Sequence, residues 1–331
     1  MRDGARPGRG ERLPWWASLV CALLIAPHAL VALWKLLLWA LPGPSLALLE
    51  RWPWLYGFPA WDQELTPPQT FWFGLVYVGL LAAALAWIAW TTRRRAGGEA
   101  AALARPLIGR GWRSLGWVLP VGLLIHWSAI AWGASLVTRF TPVVNEAERL
   151  GLAQPTWSAS SDAYATATSA TDTWFSAIGV GLIGASEELA FVALLALWLR
   201  TYRVSWGWVI AASLLLRIGI HAEQGWYAVP KSVFFGLSAL LLVMLFHSIS
   251  GAFLAHLLWN ASLTLTASSW IETPGWALAL RGWGSPLMEL AGGACLIAVG
   301  LLAVRARAQT GAPPQSDSSP GSDSSPAAIS A

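Results

Sequence analysis

Charge is scarce in this chain. Only 11% of its 331 residues are Asp, Glu, Lys or Arg, while 56% are hydrophobic and the mean hydropathy is +0.54. A soluble domain carries about a quarter of its residues charged, so an ordinary soluble fold is excluded and an all-α integral membrane protein is indicated. Cysteine is equally sparse. Cys21 and Cys295 both lie in apolar runs, which argues against a disulfide framework or a thiolate metal site. There is no His-Glu-x-x-His run, so the usual helical zinc-protease pattern is missing. No internal repeat is evident, which counts against an inverted-repeat transporter. The first apolar run is too long for a simple signal peptide and lacks a small-residue cleavage site, so it reads as a retained anchor. The net charge of +4 and pI near 9.4 do not indicate nucleic acid, because the basic residues cluster in short connections where they set orientation.

What is present is a series of long apolar segments. About eight can be drawn, at Trp15–Leu41, Phe71–Trp90, Ser114–Val137, Trp174–Leu199, Val204–Ile220, Val233–Phe246, Gly251–Ala267 and Leu287–Val304. This predicts a polytopic membrane helix bundle. Arginines gather at positions 2, 6, 9 and 12, then 93–95, 105, 110 and 113, then 200 and 203, then 305 and 307, while Glu50, Asp62, Glu64, Glu146, Glu148, Asp162 and Asp172 occupy the alternate connections. The positive-inside rule then puts both termini in the cytoplasm and the protein in the cell membrane as a multi-pass chain. The organisation expected is a cytoplasmic N-terminus over 1–14, N-terminal transmembrane helices over 15–137, an outward-facing Ser/Thr/Ala-rich loop over 138–173, core helices over 174–267, a last helix with its flanks over 268–308, and a disordered Ser/Pro/Gly/Ala tail over 309–331. Many of the 24 tryptophans lie near segment ends, as interfacial anchors do.

The polar residues inside apolar segments are few. Glu187 and Glu188 sit side by side in the fourth segment, where each ionised carboxylate costs about 2.5–3.5 kcal/mol on insertion scales. An ionisable group at such depth is by default a functional-site candidate. His221 ends the fifth segment, with Arg217 four residues earlier and Glu223 just after. His256 and Asn260 share a helical face in the seventh. His28 and His126 stand alone in their segments and read as helix–helix hydrogen bonds, the commoner use of a lone polar residue in a span. His247 reads as interfacial. Arg217 and Glu223 divide evenly between interfacial anchors and site residues. Asn260-Ala261-Ser262 matches the glycosylation pattern by chance, since an acceptor within a span is not accessible.

A glutamate beside a histidine can take a proton from water and make it a nucleophile. A second histidine with an asparagine can donate hydrogen bonds to the oxyanion that forms. The same histidine and glutamate set is compatible with zinc, which the residues do not otherwise indicate. Glu187-Glu188, then His221, then His256-Leu257-Leu258-Trp259-Asn260, in order on successive helices, resembles the CPBP (CAAX protease and bacteriocin-processing, or Abi) family of intramembrane endopeptidases over about Phe175 to Leu265. That family's pattern is Glu-Glu-x-x-x-Arg, a histidine usually preceded four positions earlier by Phe, and His-x-x-x-Asn. Two positions depart from it: Val192 stands where the arginine is expected, and Arg217 where the phenylalanine is.

The resemblance implies Glu187 as general base, His221 as the partner that polarises water, His256 and Asn260 as the oxyanion hole, and Glu188 in support, without a metal. Without the arginine at 192, either Glu188 stays neutral or another charge replaces the arginine's, and Arg217 is expected to approach Glu188 or to orient the His221 ring. The function so implied is an intramembrane endopeptidase acting on a membrane-associated protein or peptide. The alternatives are a catalytically inactive relative that binds peptides or serves in bacteriocin self-immunity, for which Val192 is the argument, and a transporter using the glutamates as a proton relay.

Overall fold

The structure, a computed structural model, describes residues 13–40, 65–95, 167–222, 228–246 and 249–281, with scattered positions between 121 and 142 (124–129 among them) and residues 290 and 294. The protein is an all-α membrane helix bundle. Helix α1 spans Trp15–Ala40 and α2 Pro67–Arg95. Residues 124–129, within the third apolar segment, are helical. Then come α3 at Ala170–Glu187, a π-helical stretch at Glu188–Leu194, α4 at Leu195–Thr201, α5 at Trp206–Ile220, α6 at Ala228–Phe246, α7 at Ser250–Ala267 and the short α8 at Gly275–Arg281. The first seven apolar segments are therefore helical where described, except for Val204 and Ser205 at the start of the fifth. The eighth, at 287–304, lies outside the described residues but for positions 290 and 294, as do the N-terminus, most of the 138–173 loop and the tail. Helix α8 has no counterpart among the segments read from hydropathy.

Helices α1 and α2 and the continuous α3–π–α4 rod are long and apolar enough to cross a membrane, over Trp15–Leu37, Pro67–Ile88 and Ala170–Thr201. The third differs from the others in burial. Its apolar window is 83% buried, against 22% and 28% for the first two, so it is the central rod about which the rest is arranged. Its N-terminus is capped in both directions: Ser169 Oγ accepts from the Asp172 N–H at 3.1 Å, and Asp172 Oδ2 accepts from Thr168 Oγ at 2.8 Å.

Contacts set the directions of the neighbours. Helix α2 runs parallel to α3, with Thr70 and Phe71 at Gly179 and Gly74 at Leu182. Helix α7 runs antiparallel, with Ala261 and Leu265 at Ala177 and Ser268 at Thr173. The link from α4 to α5 is a tight left-handed cap: Arg203 has φ 58°, its N–H bonds Arg200 O at 2.9 Å, and Val204 N–H reaches Leu199 O at 3.2 Å. That six-to-one bond is the Schellman arrangement and satisfies carbonyls at the helix end. It turns α5 back antiparallel along the rod.

The turn also sets depth. Glu188 lies about 13 residues before Thr201 and Arg217 about 11 after Trp206, so both stand some 16–20 Å from the turn at 1.5 Å per residue. Helix α5 has only 15 residues and so reaches about 22 Å, short of a hydrocarbon core near 30 Å. Hydropathy placed His221 near the outer end of a full span. The helix instead stops at the level of the glutamates, with His221 as its C-cap. A helix ending at such depth leaves unpaired carbonyls. Lys35 of α1 donates to one of them, Ile220 O, at 2.9 Å, and its charge suits the negative end of the helix dipole. The α1–α5 crossing is close there, since a Cβ on Gly219 would fall 2.7 Å from Ala32 O.

Candidate active site

The two glutamates straddle the junction where the rod changes from α to π geometry. Single π turns inside α-helices are commonly found at functional sites, because the widened turn re-aims side chains. Adjacent residues on an α-helix point about 100° apart. Here the two carboxylates do not point together but divide the work between two sets of partners.

Glu187 takes the more open side. Its Oε2 is 3.6 Å from His221 Nε2 and 3.8 Å from Arg217 Nη1. The His221 side chain is 20% exposed and that of Glu187 9%, whereas Glu188, Arg217 and His256 are at 0, 1 and 4%. Glu188 takes the sealed side. Its Oε1 lies 2.8 Å from Arg217 Nη2, 2.9 Å from His256 Nδ1 and 3.6 Å from His126 Nε2. Phe235 of α6 forms the apolar floor beneath these groups. Its ring centroid is 5.0 Å from that of His256, 5.2 Å from that of His126 and 5.8 Å from the Arg217 guanidinium carbon.

Asn260 completes the constellation. A Cβ built on Gly184 would overlap the Asn260 amide nitrogen and stand 3.1 Å from His256 Nε2. The Asn260 amide and the His256 Nε2 edge therefore meet across the bare backbone of α3. All the residues singled out for catalysis, Glu187, Glu188, His221, His256 and Asn260, with Arg217 in support, come together from three helices. Arg217 is fully buried beside Glu188, and so is not an interfacial anchor. Val192, also buried, occupies its position in the π stretch. Glu223 and His247 lie outside the described residues.

Two contributors escaped the sequence reading. His126 reads as a lone helix–helix bridge, yet it is at the Glu188 carboxylate. Its signal was only that a histidine stood in a span. Gly184 belongs to Gly179-Val180-Gly181-Leu182-Ile183-Gly184, which out of context resembles a dinucleotide fingerprint. That fingerprint requires a preceding strand; here the run is mid-helix, and its glycines are close-approach points to α2 and α7. The obstacle to a side chain at Gly184 is the movable end of Asn260. Gly184→Ala is therefore expected to leave the melting temperature near wild type while displacing the amide. Turnover should fall by up to about 10²-fold, the scale for losing one oxyanion donor. Paired thermal-melt and kcat measurements check it. His28, by contrast, is a bridge: it meets Tyr77 Oη through Nδ1 at 3.0 Å and stands edge-on to Phe191 at 5.3 Å.

The donor atoms of His126, Glu188 and His256 lie within 4.8 Å of one another and are the one group among the described residues with the make-up of a metal site. The surroundings fit a metal poorly. The guanidinium of Arg217 already neutralises the same carboxylate oxygen at 2.8 Å, and a dication would face it at contact range. The cluster is better accounted for as a carboxylate held by Arg217 and His256.

Residues 169–262 match the model of the Rce1-like family, described as type II CAAX prenyl endopeptidase Rce1-like. The match covers a little over a quarter of the chain and begins at the α3 cap, ending two residues past Asn260. It contains every motif residue of the CPBP resemblance, and so agrees with the family read from those residues. No curated protein and no solved structure matches the chain.

Proposed function

We propose that this protein is an intramembrane endopeptidase that hydrolyses a peptide bond of a membrane-associated protein or peptide with water activated by Glu187. The observation that carries this reading is the separation of the two carboxylates. Glu187 faces His221 at the more open edge, 3.6 Å away, so that both side chains can reach one water lying beside them. Glu188 is sealed behind it.

In this mechanism Glu187 takes a proton from water as its oxygen bonds to the carbonyl carbon of the scissile amide, and His221 orients that water. The carbonyl oxygen becomes an oxyanion that accepts hydrogen bonds from Asn260 Nδ2 and His256 Nε2. His256 Nδ1 lies 2.9 Å from Glu188 Oε1, a contact that fixes the ring. Collapse of the tetrahedral intermediate breaks the C–N bond, and Glu187 returns its proton to the leaving amine. Arg217 pairs with Glu188 at 2.8 Å and holds it in place, supplying the charge that Val192 does not, so position 192 no longer favours an inactive relative.

The test is cleavage of a panel of membrane-anchored peptides by the purified protein in liposomes, comparing wild type with Glu187→Ala in the presence and absence of a zinc chelator. Wild type should cleave with and without chelator and the variant should not. Equal rates for the two proteins would overturn the reading, and loss of activity on chelation would overturn its metal-free form. The reading also carries the multi-pass topology with both termini cytoplasmic. A cysteine placed between residues 309 and 331 should be labelled from outside only after the membrane is permeabilised.

A further inference from the structure

His126 lies outside the segment that matches the family, on the 124–129 helical stretch. It is fully buried, hydrogen-bonded at Nδ1, and its Nε2 is a buried polar atom without a hydrogen-bond partner, aimed at a carboxylate. On one side Nδ1 is 2.7 Å from Ser238 Oγ of α6, and that hydroxyl lies 2.9 Å from Phe235 O. On the other side Nε2 faces Glu188 Oε1 at 3.6 Å. The ring stands edge-on to Phe235, at 89° between planes. An apolar side chain would fill the same space. A histidine adds two polar ends, which join the backbone of α6 to the sealed glutamate. The Ser238 hydroxyl has one proton, within reach of both Phe235 O and His126 Nδ1; given to Nδ1, it leaves the ring's own proton on Nε2, toward Glu188.

We propose that His126 is a positioning residue of the proteolytic site: it holds the Glu188 carboxylate in the rotamer that presents Oε1 to His256 Nδ1, and so aims His256 Nε2 at the oxyanion corner beside Asn260. Two strong donors, Arg217 and His256, already crowd Glu188 Oε1. His126 Nε2, 3.6 Å away on a different helix, closes a third side of the carboxylate and limits its orientation. This inference rests on the endopeptidase reading above.

The test exploits the two ends of the ring. His126→Gln retains an N–H at the reach of Nε2 and gives up the Ser238 end. His126→Asn retains a group at the reach of Nδ1 and gives up the Glu188 end. Both should insert and melt like wild type. The asparagine variant should lose about tenfold or more in kcat with KM little changed, as is usual when a supporting hydrogen-bond partner is removed. The glutamine variant should keep most of its activity. Equal losses in the two would make His126 a packing residue and overturn the proposal, and so would equal retention of wild-type activity. A stoichiometric bound metal that disappears in His126→Ala would overturn it in favour of a ligand role. Glu187→Ala, run alongside, separates the failures. If it cleaves like wild type, the endopeptidase reading falls and this proposal falls with it; if it is inactive while both His126 variants are normal, only the proposal falls.

Discussion

Arg217→Ala is expected to destabilise the folded protein by about 3–5 kcal/mol, the usual cost of removing one partner from a buried ion pair, and to abolish cleavage. The guanidinium is 1% exposed and 2.8 Å from a carboxylate that is completely sealed. Its loss leaves Glu188 with histidines alone, in surroundings where an unpaired charge is strongly disfavoured. Position 192 provides the control. Val192 is itself fully buried in the π stretch, four residues after Glu188. An arginine there in the otherwise wild-type protein adds a second cation and excess volume, and should destabilise by about 1–3 kcal/mol. Combined with Arg217→Ala, the same substitution restores the missing charge and fills the vacated volume, so the double variant should be more stable than either single change implies. Thermal melts in detergent across the four proteins form a double-mutant cycle. Additive effects, or an Arg217→Ala protein that melts and cleaves like wild type, would remove Arg217 from the site.

The second large effect separates chemistry from stability within one dipeptide. Glu187→Gln should lower kcat by about 10²–10⁴, the range for a general base, and leave the melting temperature near wild type. Its side chain is at the more open edge, and Arg217 keeps its partner in Glu188. Glu188→Gln should do the reverse in emphasis, lowering stability because it leaves the buried Arg217 with only the longer 3.8 Å pairing to Glu187. If both variants lost stability alike and retained turnover, the division of roles between the carboxylates would be wrong.

Much of this arrangement could be read from the chain because hydropathy and depth act on individual residues. Glu187, Glu188, His256 and Asn260 are conspicuous in apolar surroundings, and the helices lie where the apolar segments are. What could not be read depends on packing between distant parts of the chain. Arg217 was ambiguous because an arginine near a helix end can snorkel or pair, and the difference is the length of α5. That His221 lies level with Glu187 follows only from α5 being 15 residues long and folded back at Arg203. His126 meets Ser238 across 112 positions of sequence, a pairing with no local signature. The π stretch has none either, since its residues, Glu188-Leu189-Ala190-Phe191-Val192-Ala193-Leu194, suit an α-helix equally well.

The lysine that caps α5 bears on how this protein can be divided. The segment that matches the family holds every motif residue, but the carbonyl end carrying His221 is secured by Lys35 and by the tight crossing of Ala32 over Gly219, both in α1. A fragment trimmed to residues 169–262 would carry the full signature while leaving that helix end open to lipid, an environment with no donor to replace the lysine. The inheritable motif and the smallest working unit are therefore different lengths of polypeptide. Reconstitution from two co-expressed pieces should require α1 to be supplied, even though it contributes no group to the reacting atoms.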